Sequence, residues 1–383
     1  MSRIVIFIIR KSDEGMGFVT GVAVGMALGV GLLHMAKRLK PVQSGNEKFE
    51  QRLRHKNGLS KGPKVVAIGG GTGLSTLLRG LKLYTSNITA VVTVADDGGS
   101  SGMLRQDLGI LPPGDIRNCI LALADVEPIM EQLLQYRFKE GSLKGQNLGN
   151  LLIAAMVDIA DGFVNAIKEV SSVLAVTGRV LPVSLENVHL VAKLEDGTVI
   201  HGESRIPEEQ VKKNSPIKEV SMDNPECRAL PEVIEAIEDA DVVVLGPGSL
   251  YTSIIPNLIV KEVAEAIRRS RAVKIYVCNV MTQPGETTGY SVVDHVKALI
   301  KHGGGNIIDV VLVNRSDFPD ELLKKYRQEG ASPVDCSDIH KLKEMGIEYV
   351  QADLSDFSSG LIRHHPQKLA YEIIKIAEAA VKN

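Results

Sequence analysis

Short apolar runs recur along the chain at 64–68, 88–95, 242–245, 273–280 and 307–313. Helical patterns lie between several of them, over 116–136, 259–271 and 368–381. Their alternation predicts an α/β fold, a mostly parallel sheet with helices on both faces. Ligands of such sheets bind at the carboxyl ends of the strands, where the loops gather. The texture changes over about residues 172–221. Val188, Leu190, Ala192 and Leu194 fall on one parity, and Glu195-Asp196-Gly197-Thr198 carries the Asp-Gly signal of a hairpin. A small antiparallel β insertion is expected there.

The amino-terminal pattern is different. Residues 17–36 carry no ionisable group except His34, and a helix of that length spans roughly 30 Å, one hydrocarbon core. Gly17, Gly21, Gly25 and Gly29 share one face of such a helix, as in packed membrane helices. Lys37, Arg38 and Lys40 follow at once, which orients the downstream part to the cytoplasm. The pattern predicts a single transmembrane-type helix over 17–36, a polar linker over 37–62 and one folded domain over 63–383. The glycine face also predicts self-association, so a homo-oligomer, in its simplest form a dimer, is the expected state.

Composition narrows the function classes. Of 383 residues, 44 are Lys or Arg and 46 are Asp or Glu, a formal net charge of −2. That balance lacks the basic footprint of a nucleic-acid binder. Trp is absent and aromatics make up 4%, which argues against a base-stacking platform. Cys119, Cys227, Cys278 and Cys336 show no CxxC spacing and read as buried, reduced thiols.

Two glycine-rich turns carry most of the chemical information. Gly69-Gly70-Gly71-Thr72-Gly73 follows Val65-Val66-Ala67-Ile68, and Gly246-Pro247-Gly248-Ser249 follows Val242-Val243-Val244-Leu245. A strand that breaks into glycines and restarts as a helix aims backbone N–H groups and a helix dipole at one point, where anions bind. Two such turns suggest a ligand with more than one phosphate, or with a phosphate and a second polar group. The first turn lacks both the spacing of a dinucleotide fingerprint and the Lys-Ser/Thr of a Walker A loop. It resembles the GGGTG of tubulin-like GTPases, although Ser75 stands where that family carries a further glycine.

Other motifs cluster after strand-like runs. Asp96-Asp97 closes the second one, positioned to hold ribose hydroxyls or a hydrated Mg²⁺, with Asp97 as the metal candidate. Gly98-Gly99-Ser100-Ser101-Gly102 follows. It fits the G-x-S-x-G pattern of serine hydrolases, but no histidine is singled out to complete a triad. Asp115 reads as an N-cap, with Arg117 and Asn118 projecting from the first helical turn. The Arg117 fork suits a diphosphate. Asn147 and Asn150 flank Gly149 before an apolar helix at 151–160. Ser249, Thr252 and Ser253 add hydroxyls to the second turn, and Tyr251 offers a ring to stack on a base. Asn279 and Thr282 end the next long run, and Arg363-His364-His365 precedes the last helix.

Seven segments in order, VVAIGGGTGLSTLLRGL, TVADDGGSSGMLR, LPPGDIRNCILAL, GNLLIAAM, GPGSLYTSIIPNL, NVMTQPGETTGY and RHHP, resemble the gluconeogenesis factors of the YvcK type. That family is related to the CofD-like 2-phospho-L-lactate transferases. The resemblance spans about residues 63–383. It implies a Rossmann-like domain in the cytoplasm, a role in growth on gluconeogenic carbon sources and in cell shape, and binding of a UDP-sugar such as UDP-N-acetylglucosamine. The transferase relatives imply Mg²⁺ and a nucleotide-diphosphate donor. The residues lack an obvious nucleophile–base pair, so a binding protein is expected ahead of an enzyme.

Overall fold

The computed structural model describes residues 58–381. The expected span at 17–36 and most of the linker lie outside them. Among the described residues no single helix is long and apolar enough to cross a membrane. Residues 58–62 belong to the folded unit: the Ser86 amide donates to Leu59 O and the Asn87 side chain to Ser60 O and Gly62 O.

Among the described residues twelve strands form three sheets: β1 (Val65–Gly69), β2 (Ile88–Val92), β3 (Arg179–Pro182), β4 (Leu190–Leu194), β5 (Val199–His201), β6 (Ile217–Met222), β7 (Val242–Leu245), β8 (Val273–Val277), β9 (Val310–Asn314), β10 (Glu348–Ala352), β11 (Ser355–Asp356) and β12 (Arg363–His364). Seven make the main sheet, in the order β10-β9-β8-β7-β1-β2-β3, and every pairing in it is parallel. Strands β1, β2 and β7 are buried at every residue, as their unbroken apolar composition requires.

The chain runs outward from β1 through β2 to β3. It then returns to the other side of β1 and runs outward again through β7 to β10. The switch in direction lies between β1 and β7, which opens a crevice at their carboxyl ends. Both glycine turns leave the sheet there.

The small antiparallel sheet, order β5-β4-β6, occupies the expected insertion, with a helix at Ile206–Lys213 between β5 and β6. The insertion is shorter than 172–221. Residues 163–173 are helical, and β3 pairs parallel to β2 in the main sheet. Val180-Leu181-Pro182 is a buried apolar run that alternation alone does not separate from its neighbours. The pattern at 116–136 divides into helices Gly114–Leu123 and Pro128–Gln135, because Pro128 cannot continue the first helix and starts the second. The 259–271 pattern contracts to Val263–Arg269, and the apolar helix begins earlier, at Leu148. The last helix, Pro366–Val381, is where its pattern put it.

That last helix packs directly on Gly71–Leu81, the helix that carries the first glycine turn. Contact is closest at Gly80, where an added Cβ would overlap the Pro366 carbonyl oxygen. Gly80→Val is therefore expected to lower the melting temperature by about 5 °C or more, since overpacking a fixed backbone contact costs about 1–3 kcal/mol. Gly69→Ala is the control: its Cβ would meet nothing nearer than 3.7 Å. Equal melting points for both variants would remove the helix contact as a constraint.

Candidate functional site

Register brings the two glycine turns together. Residues 65–68 of β1 pair with 242–245 of β7, so both strands end at the same level. The Gly246 amide donates to Ile68 O, and the Asn257 side chain donates to Gly69 O. Gly73, in the first turn of its helix, lies so close to the second turn that a Cβ would overlap the Pro247 carbonyl oxygen. Gly71 adopts φ +62° and Gly246 φ +79°, conformations that glycine takes without strain.

A cleft of about 660 Å³ opens above this contact, a volume typical of small-molecule sites. Its wall contains Gly70, Gly71, Thr72, Gly73, Gly248, Ser249, Thr252, Ser253, Asn279, Thr282, Arg363 and His364. Those motifs are dispersed in the sequence and share one surface in the fold. Gly246 lies just beneath, in the turn itself.

The amides of the two turns are not all free. Gly71 N–H donates to Asp115 Oδ2 at 2.7 Å. In the second turn Tyr251 N–H donates to Glu286 Oε2 at 3.0 Å, and Thr252 Oγ1 donates to Glu286 Oε1 at 2.9 Å. Each turn therefore holds a carboxyl group from elsewhere in the chain. Asp115 is not the N-cap expected of it. Pro113 occupies that position, and the Asp115 side chain turns back to the first glycine turn. Burial, then the charge of Asp96, pushes Asp115 up to about 6. Burial also raises Glu286, against the opposing pull of its bonds to Thr252 and the Tyr251 amide.

Several expected ligand residues instead build the frame. Ser100 Oγ donates to Gln146 and accepts from the Asn147 amide and the Asn150 side chain. Ser101 Oγ accepts from the Gly114 amide. Neither serine touches a histidine, so the hydrolase pattern has no base. Asp96 accepts from the Gly98 amide, and burial raises its pKa. Asp97 accepts from the Ser204 amide and lies against Gly202, so it anchors the insertion to the main sheet. Among the described residues no three of His, Cys, Asp and Glu stand close enough to hold a metal ion. Tyr251 is buried, bonded to the Tyr290 hydroxyl and edge-on to Tyr290 and His302, so its ring is not free to stack on a base.

Arg363 faces the cleft with no hydrogen bond or ion pair on its side chain among the described residues. His364 beside it is buried, and that burial lowers it to about 4, so it is neutral at pH 7. The expected basic cluster thus offers one guanidinium to the cleft.

Three elements of the wall escaped sequence reasoning. Glu203, Ser204 and Pro207 come from the insertion. Gln283, which donates to Ser249 Oγ, and Glu286 come from the loop after β8. Tyr326 comes from the helix Asp320–Gln328, and its hydroxyl accepts from the Ile362 amide. Only the polar stretch around Gln283 carried a local signal.

Glu203 gives the cleft a titration. Burial, then the charges of Asp96, Glu286 and Asp97, raises it to about 8 from 4.5. Folded Glu203 keeps its proton where the unfolded chain has lost it, so this residue costs stability as pH rises from about 4.5 to about 8. Glu203→Gln, neutral at every pH, is expected to melt about 2 °C or more above the parent at pH 8.5 and within about 1 °C of it at pH 5. A difference independent of pH in calorimetry would contradict the buried-acid account.

Several known proteins are similar to this chain in sequence and fold. The family model described as 2-phospho-L-lactate transferase CofD matches residues 65–355. The gluconeogenesis factor of Bacillus subtilis is 51% identical over 315 residues, 82% of this chain and 98% of that one. The gluconeogenesis factor of Listeria innocua is 44% identical over 313 residues, 80% and 94% of the two chains. A crystal structure of a UPF0052 family member from Bacillus halodurans, 48% identical, aligns with a TM-score of 0.77 over 84% of this chain and 99% of that one. With its matched span running from the start of β1 to the start of β11, the chain belongs to the CofD family, alongside the members named gluconeogenesis factors.

Proposed function

We propose that the chain is a nucleotide-sugar-binding regulator, with a UDP-sugar of the UDP-N-acetylglucosamine kind as its ligand. One observation supports this most: two glycine turns and an unpaired guanidinium, Arg363, face the same cleft. Asp115 holds the Gly71 amide, but no N-cap side chain claims the other amides of that first helical turn, which therefore suit phosphate oxygens. Asn279, Thr282 and Gln283 supply hydrogen-bonding groups for a sugar. In the cell this binding is proposed to support growth on gluconeogenic carbon sources, in keeping with the names of its relatives, and the maintenance of cell shape.

A ligand that binds only the folded state raises the melting temperature. UDP-N-acetylglucosamine is expected to do so, and Arg363→Ala to weaken it about tenfold or more, the usual cost of a lost charge-assisted bond to phosphate. A strain carrying Arg363→Ala should then fail on a gluconeogenic carbon source while growing on glucose. No thermal shift with any nucleotide-sugar would end this reading.

The second reading is transfer of a phospho-lactyl-type group from a nucleotide-diphosphate donor to an acceptor hydroxyl, with the nucleoside monophosphate as the leaving group. The family match favours it, as does Glu203, an acid near the cleft that keeps its proton at pH 7. Chromatography of the incubated ligand separates the two readings. Intact nucleotide-sugar supports the regulator, and release of a nucleoside monophosphate supports the transferase.

A further inference from the structure

Arg117 was expected on the diphosphate, yet it is absent from the main cleft. It lines a second pocket of about 400 Å³ next to it, and the two share Thr72, Thr76 and Arg363 as common wall. Four arginines face this second pocket, Arg79, Arg117, Arg137 and Arg363, and no carboxylate does. Arg79 is neutralised by Glu131 at 2.5 Å. The other three have no ion pair among the described residues.

Arg117 is held in place by neutral acceptors. Its Nη1 donates to Asn150 Oδ1 at 2.6 Å and its Nη2 to Asn118 Oδ1 at 2.8 Å. Its Nε is buried with no partner. Its stem crosses Gly149, where a Cβ would stand 2.7 Å from Arg117 Cδ. Asn150 is itself fixed by Asn147 and Ser100. The Asn147-Leu148-Gly149-Asn150 motif is therefore the seat of an arginine.

Arg137 approaches from a separate ribbon. It bridges Asn147 in antiparallel fashion, and Phe138 and Gly145 close the turn behind it. Its Nη1 donates to Gly145 O. Burial, then the like charge of Arg137, lowers Arg117 to about 10, while Asp115 and Asp96 pull the other way. Arg117 remains a cation at pH 7. Two guanidiniums that repel each other have been positioned by hydrogen bonds to neutral groups, and among the described residues neither forms an ion pair. A tetrahedral oxyanion supplies that partner, with oxygens for both forks.

We propose that this pocket is a second ligand site that takes the phosphate group of a small molecule, separate from the ligand of the main cleft. Free phosphate and a phosphate monoester share that chemistry. The wall common to both pockets makes each site sensitive to the other's occupancy.

The test uses the full chain in chloride buffer, with inorganic phosphate and glycerol 3-phosphate as probes in titration calorimetry. Phosphate is expected to bind, and Arg137→Gln to weaken it about tenfold or more. Arg137 is exposed, so that variant keeps the fold. Arg117→Lys, checked for an unchanged melting point, is expected to do the same, because an ammonium cannot make a bidentate fork. Tighter binding of the monoester assigns the site to an esterified ligand, and equal or weaker binding assigns it to free phosphate. The phosphate arm needs no nucleotide, so it stands or falls apart from the main-cleft reading. Dissociation constants above about 10 mM for both probes overturn the proposal, as does unchanged binding in both variants. One-for-one displacement of phosphate by UDP-N-acetylglucosamine, with Arg137→Gln weakening both equally, also overturns it by assigning the arginines to the nucleotide.

Discussion

The absence of one side chain at Gly73 governs the candidate site. With no Cβ there, the first turn of one helix rests against the Pro247 carbonyl, and two strand ends distant in sequence act as one surface. Parallel pairing of β1 with β7 puts the turns at one level, and the reversal of strand order between them leaves the crevice open. The cleft, the neighbouring arginine pocket and the insertion that overhangs them are arranged around that contact.

The frame is held largely by polar side chains reaching across the fold. Asp115 bonds 44 residues back to Gly71, Ser100 reaches 50 residues on to Asn150, and Asp97 reaches 107 residues on to Ser204. Each bond stitches one loop at the carboxyl edge of the sheet to another. The loops thus gain their order from one another as much as from the strands beneath, which suits a surface that must present amides and hydroxyls at fixed separations.

Much of this was legible before any coordinates. Buried parallel strands are rich in Val, Ile, Leu and Ala, so β1, β2 and β7 and the glycine turns after β1 and β7 could be read directly. β10 escaped because Glu348-Tyr349-Val350-Gln351-Ala352 is a mixed, half-exposed edge strand. The roles of single polar residues were less legible. Asp115 has the sequence of an N-cap, Ser100 that of a nucleophile and Asp97 that of a metal ligand. Each is instead satisfied by a partner dozens of residues away, and no local pattern encodes such a pairing. Glu203 and Tyr326 enter the cleft from segments whose own sequence gives no reason for them to be there, and Glu286 from a motif in which nothing singled it out.

The two carboxyl groups that close the glycine turns have a wider meaning. Asp115 on the Gly71 amide and Glu286 on the Tyr251 amide occupy positions where an anionic guest would seek donors. The empty cleft therefore contains an internal mimic of such a guest. A phosphate that reaches either amide must displace that mimic or share the donor with it, and sharing is easier when the acid carries a proton. An anion bound at the Gly71 amide would therefore be linked to protonation of Asp115, with no moving domain required.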